Sequence, residues 1–165
     1  MVLIWYFLFA LIWAADVQVI PSTGIPPLPN KAACLVYNSS EVLYAFGGHR
    51  GTDKVQDEIF VFDLKTNFWE EMIPFSSVKP DKRFGSGCFI KGQSVFIFGG
   101  TTVYGTERDL WAYDTHWNKW EEFKVENSPS YRHYFAFASF SRNENSTFAV
   151  FGGFKKTGVS SGIYL

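Results

Sequence analysis

Charge of either sign is scarce in this chain. Lys and Arg number 15 against 16 Asp and Glu in 165 residues, a net charge of −1 with a charged fraction of 19%, where an average globular domain carries roughly 25%. That near-neutrality argues against a nucleic-acid or polyanion binder, which needs a basic face. Cysteine is almost missing as well, with Cys34 and Cys88 the only two. No HExxH, paired CxxC, phosphate loop or G-x-S-x-G occurs, and His49, His116 and His133 make no ligand-like spacing. The expectation is therefore no bound metal, no cofactor, no catalytic residues and no enzyme activity.

What the chain has instead is aromatic bulk: 18 Phe, 8 Tyr and 6 Trp make up 19% of it, a composition suited to strands with large buried faces. It opens on MVLIWYFLFALIWAAD, with no charged side chain before Asp16 and two small residues, Ala14 and Ala15, at the end of the apolar run. Residues 1–15 resemble a hydrophobic signal helix, cleaved near the alanines or kept as a membrane anchor. The run is short for a spanning helix. Two glycosylation acceptors, Asn38 in NSS and Asn145 in NST, fall between apolar runs where hairpin tips are expected and agree with a secreted, extracellular chain.

The organisation shows in a repeat. Gly47 and Gly48, Gly99 and Gly100, and Gly152 and Gly153 form doublets spaced by 52 and then 53 residues, each after an alternating apolar run: VLYAFGG, SVFIFGG, TFAVFGG. FDLKTNFWEEM at 62–72 returns without a gap as YDTHWNKWEEF at 113–123. Such self-similarity marks repeat architectures. Within a unit, period-two alternation gives four short strands, which form one twisted antiparallel blade. Asp63 to Asn67 and Asp114 to Asn118 read as hairpin turns. Trp69 follows Phe62, and Trp120 follows Tyr113, by seven residues, so paired rings fill the gap between blades. The glycine doublets end the second strand where a positive φ or a close backbone approach leaves no room for a Cβ. Glu70, Glu71, Glu121 and Glu122 mark a solvated outer edge, where charge discourages strand-to-strand aggregation.

A GG doublet after an apolar strand, an aromatic beside Asp about a dozen residues on, and Trp seven residues after that aromatic resemble the kelch repeat, with its period of about 50. The resemblance implies an all-β chain: a β-propeller fragment of four-stranded antiparallel kelch blades, about 2.5–3 of them. It divides the chain into 1–15, a strand and linker at 16–29, and a kelch domain at 30–165. The repeats run at about 30–79, 80–128 and 129–165, the last truncated. DVQVI at 16–20 takes the place of a fourth strand lent to close a propeller.

The loop after each glycine doublet and the loop leading into each first strand share one end of the propeller. Expected ligand contacts there are His49, Arg50, Asp53 and Lys54; Arg83, Tyr104, Glu107 and Arg108; and Arg132, Phe154, Lys155 and Lys156. Arg83 and Arg132 precede equivalent strands, where a structural ion pair or backbone clamp competes with ligand binding. Cys34 and Cys88 align one residue out of register in innermost strands of neighbouring blades. A sheet spacing of about 10 Å, beyond the roughly 7 Å a disulfide tolerates, predicts two buried free thiols. The function implied is a secreted scaffold binding a protein or glycan, with possible self-association through exposed blade faces. The alternatives are a fragment of a propeller enzyme of the copper radical oxidase or sugar-acid epimerase type, and a truncated product without a role of its own.

Overall fold

A computed structural model describes residues 19–51, 54–142 and 145–164. Its elements are all strands. The first blade comprises β2 (Cys34–Asn38), β3 (Val42–Phe46), β4 (Ile59–Asp63) and β5 (Phe68–Met72), preceded by β1 (Thr23–Gly24). The second is β6 (Gly87–Lys91), β7 (Ser94–Thr101), β8 (Thr106–Asp114) and β9 (Lys119–Phe123). The third has β10 (Ala136–Arg142), β11 (Asn145–Phe151) and β14 (Ile163–Tyr164), with the hairpin β12 (Phe154–Lys155) and β13 (Gly158–Val159) inserted before β14. Sheet orders are β1-β5-β4-β3-β2, β6-β7-β8-β9 and β10-β11-β14. Innermost strands β2, β6 and β10 lie side by side in that order, so the sheets are arranged in series like propeller blades. The hydrophobic N-terminal run, including the expected signal helix, lies outside the described residues.

The duplicated segment folds for the reasons its residues suggest. The Asp63 carboxylate accepts hydrogen bonds from the amides of Lys65 (2.7 Å) and Thr66 (2.9 Å), and Asp114 accepts from those of His116 and Trp117 (2.9 Å each). Asn67 and Asn118 complete the turns at φ 54° and 51°, a left-handed conformation that Asn tolerates. The turn brings Phe62 opposite Trp69 and Tyr113 opposite Trp120, with ring centroids 4.7 Å and 5.1 Å apart. Trp120 also lies 5.1 Å from Phe46 of the first blade. It is thereby a wedge within the core formed by Tyr44, Phe46, Ile59, Val95, Ile97, Trp111 and Tyr113. A second core joins blades two and three, where Phe89, Phe98 and Leu110 meet Val150, Phe137 and Phe148.

Gly47 shows why the doublet is glycine. Its φ is 66°, and a Cβ there would lie 2.5 Å from the carbonyl oxygen of Arg83 on the next blade. Gly48 then donates its amide to that same oxygen at 2.9 Å. Conformation and close approach demand the same residue.

Three expectations need correction. Cys34 and Cys88 form a disulfide, with Cα atoms 5.9 Å apart. Cys34 pairs with Phe46, whereas Cys88 pairs with Ile97 and it is Gly87 that pairs with Phe98. The one-residue offset turns the two side chains to opposite pleat faces of their own blades, and hence toward each other across the gap. Blades also converge at the hub, so the spacing of parallel stacked sheets overstates the separation there. The second correction concerns the N-terminal strand. Residues 16–18 lie outside the described residues, Val19 and Ile20 are not in a strand, and the segment that docks is Thr23–Gly24. It runs parallel to β5, with the Thr23 and Ile25 amides donating to Asn67 and Trp69 oxygens at 2.9 Å. Third, the doublet does not end the second strand of blade two: β7 continues through Gly99 and Gly100 to Thr101 past a bulge, β8 begins at Thr106, and the loop is four residues.

Candidate functional site

The residues expected at the loop end divide into three groups. Tyr104 tips the β7–β8 loop, 82% exposed. That loop is shaped by Thr102, whose hydroxyl donates to the Gly105 carbonyl at 3.1 Å and accepts the Tyr104 amide at 3.1 Å. The tip faces a cleft of about 530 Å3 lined by Tyr104, Gly105, Thr106, Tyr131 and Lys156. Tyr131 comes from the segment leading into blade three, and the Arg108 guanidinium lies over its ring at 5.1 Å. Lys156 stands at the β12–β13 turn beside Lys155. Blades two and three thus place two exposed phenols and Lys156 around one concavity, with the Arg108 cation on the Tyr131 ring. Stacking surface and positive charge in one place suit a partner segment with apolar bulk and acidic or carbonyl oxygens.

His49, Arg50 and Lys54 form a separate group on blade one. The His49 backbone bridges Lys31 and its Nδ1 lies 3.0 Å from the Gly51 oxygen. The Arg50 amide donates to the Lys54 carbonyl at 3.0 Å. With Pro29, Asn30 and Lys31, His49 and Arg50 line an open depression of about 340 Å3. Asp53 lies outside the described residues.

Arg83 and Arg132 make the third group, and they face inward: their exposures are 1% and 0%. The structure removes both from the exposed loop surface on which ligand contacts were expected. Arg83 forms a two-bond ion pair with Asp109, 2.6 Å and 2.9 Å, and donates to the Gly99 carbonyl at 3.1 Å. Arg132 donates to the Gly152 carbonyl at 3.0 Å. Each guanidinium clamps the carbonyl of the first glycine of its own blade's doublet, and both glycines of each doublet carry positive φ.

Sequence reasoning passed over two features. Tyr131 faces the cleft although its only signal was an aromatic immediately before Arg132. A run of rings also crosses the hub mouth: His49 lies 4.5 Å from Phe84, Phe84 lies 6.4 Å from His133, and His133 stacks on Phe154 at 5.7 Å. Spacing along the chain does not show that His49 and His133 flank the same Phe84. Burial holds the His133 imidazole below its usual pKa. Among the described residues no group of three His, Cys, Asp or Glu is placed to hold a metal ion. Asn38 sits in the β2–β3 turn, its carboxamide accepting the Ser40 amide at 3.1 Å, and Asn145 opens β11 opposite Arg142.

A model of the KLHDC2/KLHL20/DRC7 Kelch-repeats domain matches residues 5–164. Kelch-like protein 40 of Xenopus tropicalis is 29% identical over 140 residues, covering 84% of this chain and 21% of that protein. Kelch domain-containing protein 2 of Bos taurus is 30% identical over 114 residues, 68% of this chain and 26% of that protein. Kelch domain-containing protein 1 of Mus musculus is 25% identical over 107 residues, 53% and 26% respectively. The chain spans about a fifth to a quarter of the length of these curated relatives. Glycine doublets at the second strands of three units, antiparallel sheets in series and a family match along nearly the whole sequence lead to one assignment: the chain belongs to the kelch-repeat family.

Proposed function

We propose that this chain is a protein-binding scaffold, and that it holds its partner in the cleft between the loops of blades two and three. The observation that carries this reading is the convergence of Tyr104, Tyr131 and Lys156 on one concavity of about 530 Å3, with Arg108 stacked on the back of Tyr131. Exposed phenols held on short loops of a rigid sheet contribute contact area at little entropic cost, which is the composition of a binding surface. The cations around them favour an acidic segment over a neutral glycan.

Selection of a displayed peptide library on the immobilised chain tests the proposal. Enriched peptides should be acidic with a large apolar residue. Tyr104→Ala, Tyr131→Ala and Lys156→Ala should each weaken their binding at least tenfold while leaving the melting temperature within a degree or two. Retained binding in all three variants removes the cleft from consideration, and enrichment on a glycan array instead moves the partner class to carbohydrate.

The same proposal places the chain in the secretory route. The Cys34–Cys88 disulfide and the acceptor sequence at the Asn38 turn support it, because disulfides persist in oxidising compartments. A mobility shift on enzymatic removal of N-glycans from the expressed chain, lost in Asn38→Gln with Asn145→Gln, is the expected result. Self-association belongs to the proposal too: Phe151, 52% exposed, matches the buried Phe46 and Phe98 of the other blades in its place before the glycine doublet. Leu35 and Tyr37 leave the outer face of blade one similarly open.

A further inference from the structure

Arg83 and Arg132 occupy equivalent places and share most of their bonds. Each Nε donates to the backbone oxygen two residues earlier, Asp81 or Ser130, at 3.0 Å. Each Nη1 donates to a glycine-doublet carbonyl, Gly99 at 3.1 Å or Gly152 at 3.0 Å. Both guanidinium groups are fully buried. They differ in one respect: Arg83 meets the carboxylate of Asp109, whereas the remaining bond of Arg132 goes to the neutral hydroxyl of Ser130 at 3.1 Å.

The strand register explains the difference. Leu110 pairs with Phe98, and Ile163 pairs with Phe151, each partner being the residue before its glycine doublet. The position before them is Asp109 in blade two and Gly162 in blade three. Among the described residues no carboxylate forms an ion pair with Arg132; Glu126, which lines a separate cleft together with Tyr164, does not reach it. In blade two Trp111 covers the pair and its Nε1 donates to Asp109 Oδ2 at 2.7 Å. In blade three the equivalent residue is Tyr164, and its ring lies over the Arg132 guanidinium at 4.3 Å.

A buried cation without a counter-charge is expensive, and carbonyl dipoles with one aromatic face offset only part of that cost. The planar fork of Arg matches a carboxylate, as its twin in blade two demonstrates. We infer that Arg132 is a carboxylate-binding site, vacated by the glycine at position 162 and lidded by Tyr164. The lid is lightly held, since β14 has two residues and two ladder pairs with β11. Tyr164 also lines a cleft of about 350 Å3 with Pro129, Thr147 and Phe148. The Tyr164 hydroxyl is itself held below its usual pKa, first by the Arg132 guanidinium and then by Lys155, as expected where positive charge lacks a partner.

Thermal unfolding of the whole chain in sodium formate against sodium chloride at equal ionic strength tests this, with a blocked Asp-containing tripeptide as a second probe. Wild type should melt a few degrees higher in formate than in chloride. Gly162→Asp should melt above wild type in chloride and lose the formate increment; position 162 carries no positive φ, and the atoms nearest an added Cβ belong to Tyr164, at 3.2 Å and beyond. Asp109→Asn supplies the converse: with Arg83 also orphaned, the formate increment should exceed that of wild type, a measurement that stands even if Gly162→Asp folds poorly. A larger effect of the tripeptide than of formate points to an acidic side chain of a partner, and the reverse to a free carboxylate. No increment in wild type with either probe, an undiminished increment in Gly162→Asp, or an Asp109→Asn increment equal to that of wild type overturns the inference.

Discussion

Removing the Cys34–Cys88 bond is the perturbation whose size follows most directly from the fold. The two residues are 54 apart in sequence and tie the innermost strands of blades one and two. Closing a loop of that length takes about 14 cal/mol/K from the unfolded chain in the chain-entropy treatment, or about 4 kcal/mol at room temperature. Domains of this size are stable by only about 5–15 kcal/mol, so the bond accounts for a large share. The replacement Cys34→Ala with Cys88→Ala avoids burying hydroxyls beside Phe46 and Ile97. It should lower the urea-derived stability by about 3–4 kcal/mol and the melting temperature by about 10 °C. Intact mass before and after reduction establishes whether the bond exists in the parent. A parent with two free thiols, or a double variant within about 1 kcal/mol of an oxidised parent, would refute both the offset-register argument and the role given to the clasp.

Trp120→Ala should cost about 3–5 kcal/mol by opening a cavity between blades one and two, whereas Trp120→Phe should cost far less than its lost volume suggests. The Trp120 Nε1 is buried without a hydrogen-bond partner, so the phenyl ring gives up nothing polar; denaturant titrations of both variants check this. His133 has a depressed pKa in the fold because it is desolvated. The native state therefore binds its proton less readily than the unfolded chain, stability is complete above the ordinary imidazole range, and it is lost as pH falls through that range toward the depressed folded value. Melting temperatures between pH 7.5 and about 5 should show a slope that His133→Gln flattens. Gly47→Ala should destabilise by more than the roughly 1 kcal/mol of a mild backbone effect, since φ is 66° and the new Cβ would meet the Arg83 oxygen at 2.5 Å; equal stability by thermal melting would show that the doublet is not required by geometry.

The blade plan was legible because its determinants are local. A glycine doublet after an alternating run, and Asp followed four residues later by Asn, specify turns within a few residues, and the ring pairs Phe62–Trp69 and Tyr113–Trp120 follow from the hairpin those turns set. What escaped depends on relations between blades. The spacing of flat sheets overstates the distance between the thiols, since a one-residue offset decides which way they point and convergence at the hub decides how far. For Arg83 and Arg132 the equivalent places before two strands leave ligand binding and a structural ion pair or clamp both open; only the positions of Asp109 and of the doublet carbonyls decide for the second. Tyr131 had no repeat counterpart to draw attention to it, because it belongs to the linker between blades. Parallel pairing of Thr23–Gly24 with β5 spans only two residues and has no pattern in side chains at all.

At the hub, one hydrogen bond runs from the Gly85 amide to the Ala32 oxygen at 2.9 Å, and another from the Tyr134 amide to the Gly85 oxygen at 3.0 Å. Gly85 is thus donor to the blade before it and acceptor from the blade after it. The donor and the acceptor lie on the two peptide groups that meet at the Gly85 Cα, so a displacement of Tyr134 would reach the bond to Ala32, two sheets away, only through rotation about the Gly85 φ and ψ. A partner that shifts the approach to blade three would in this way be felt at the approach to blade one, with no contact of its own there.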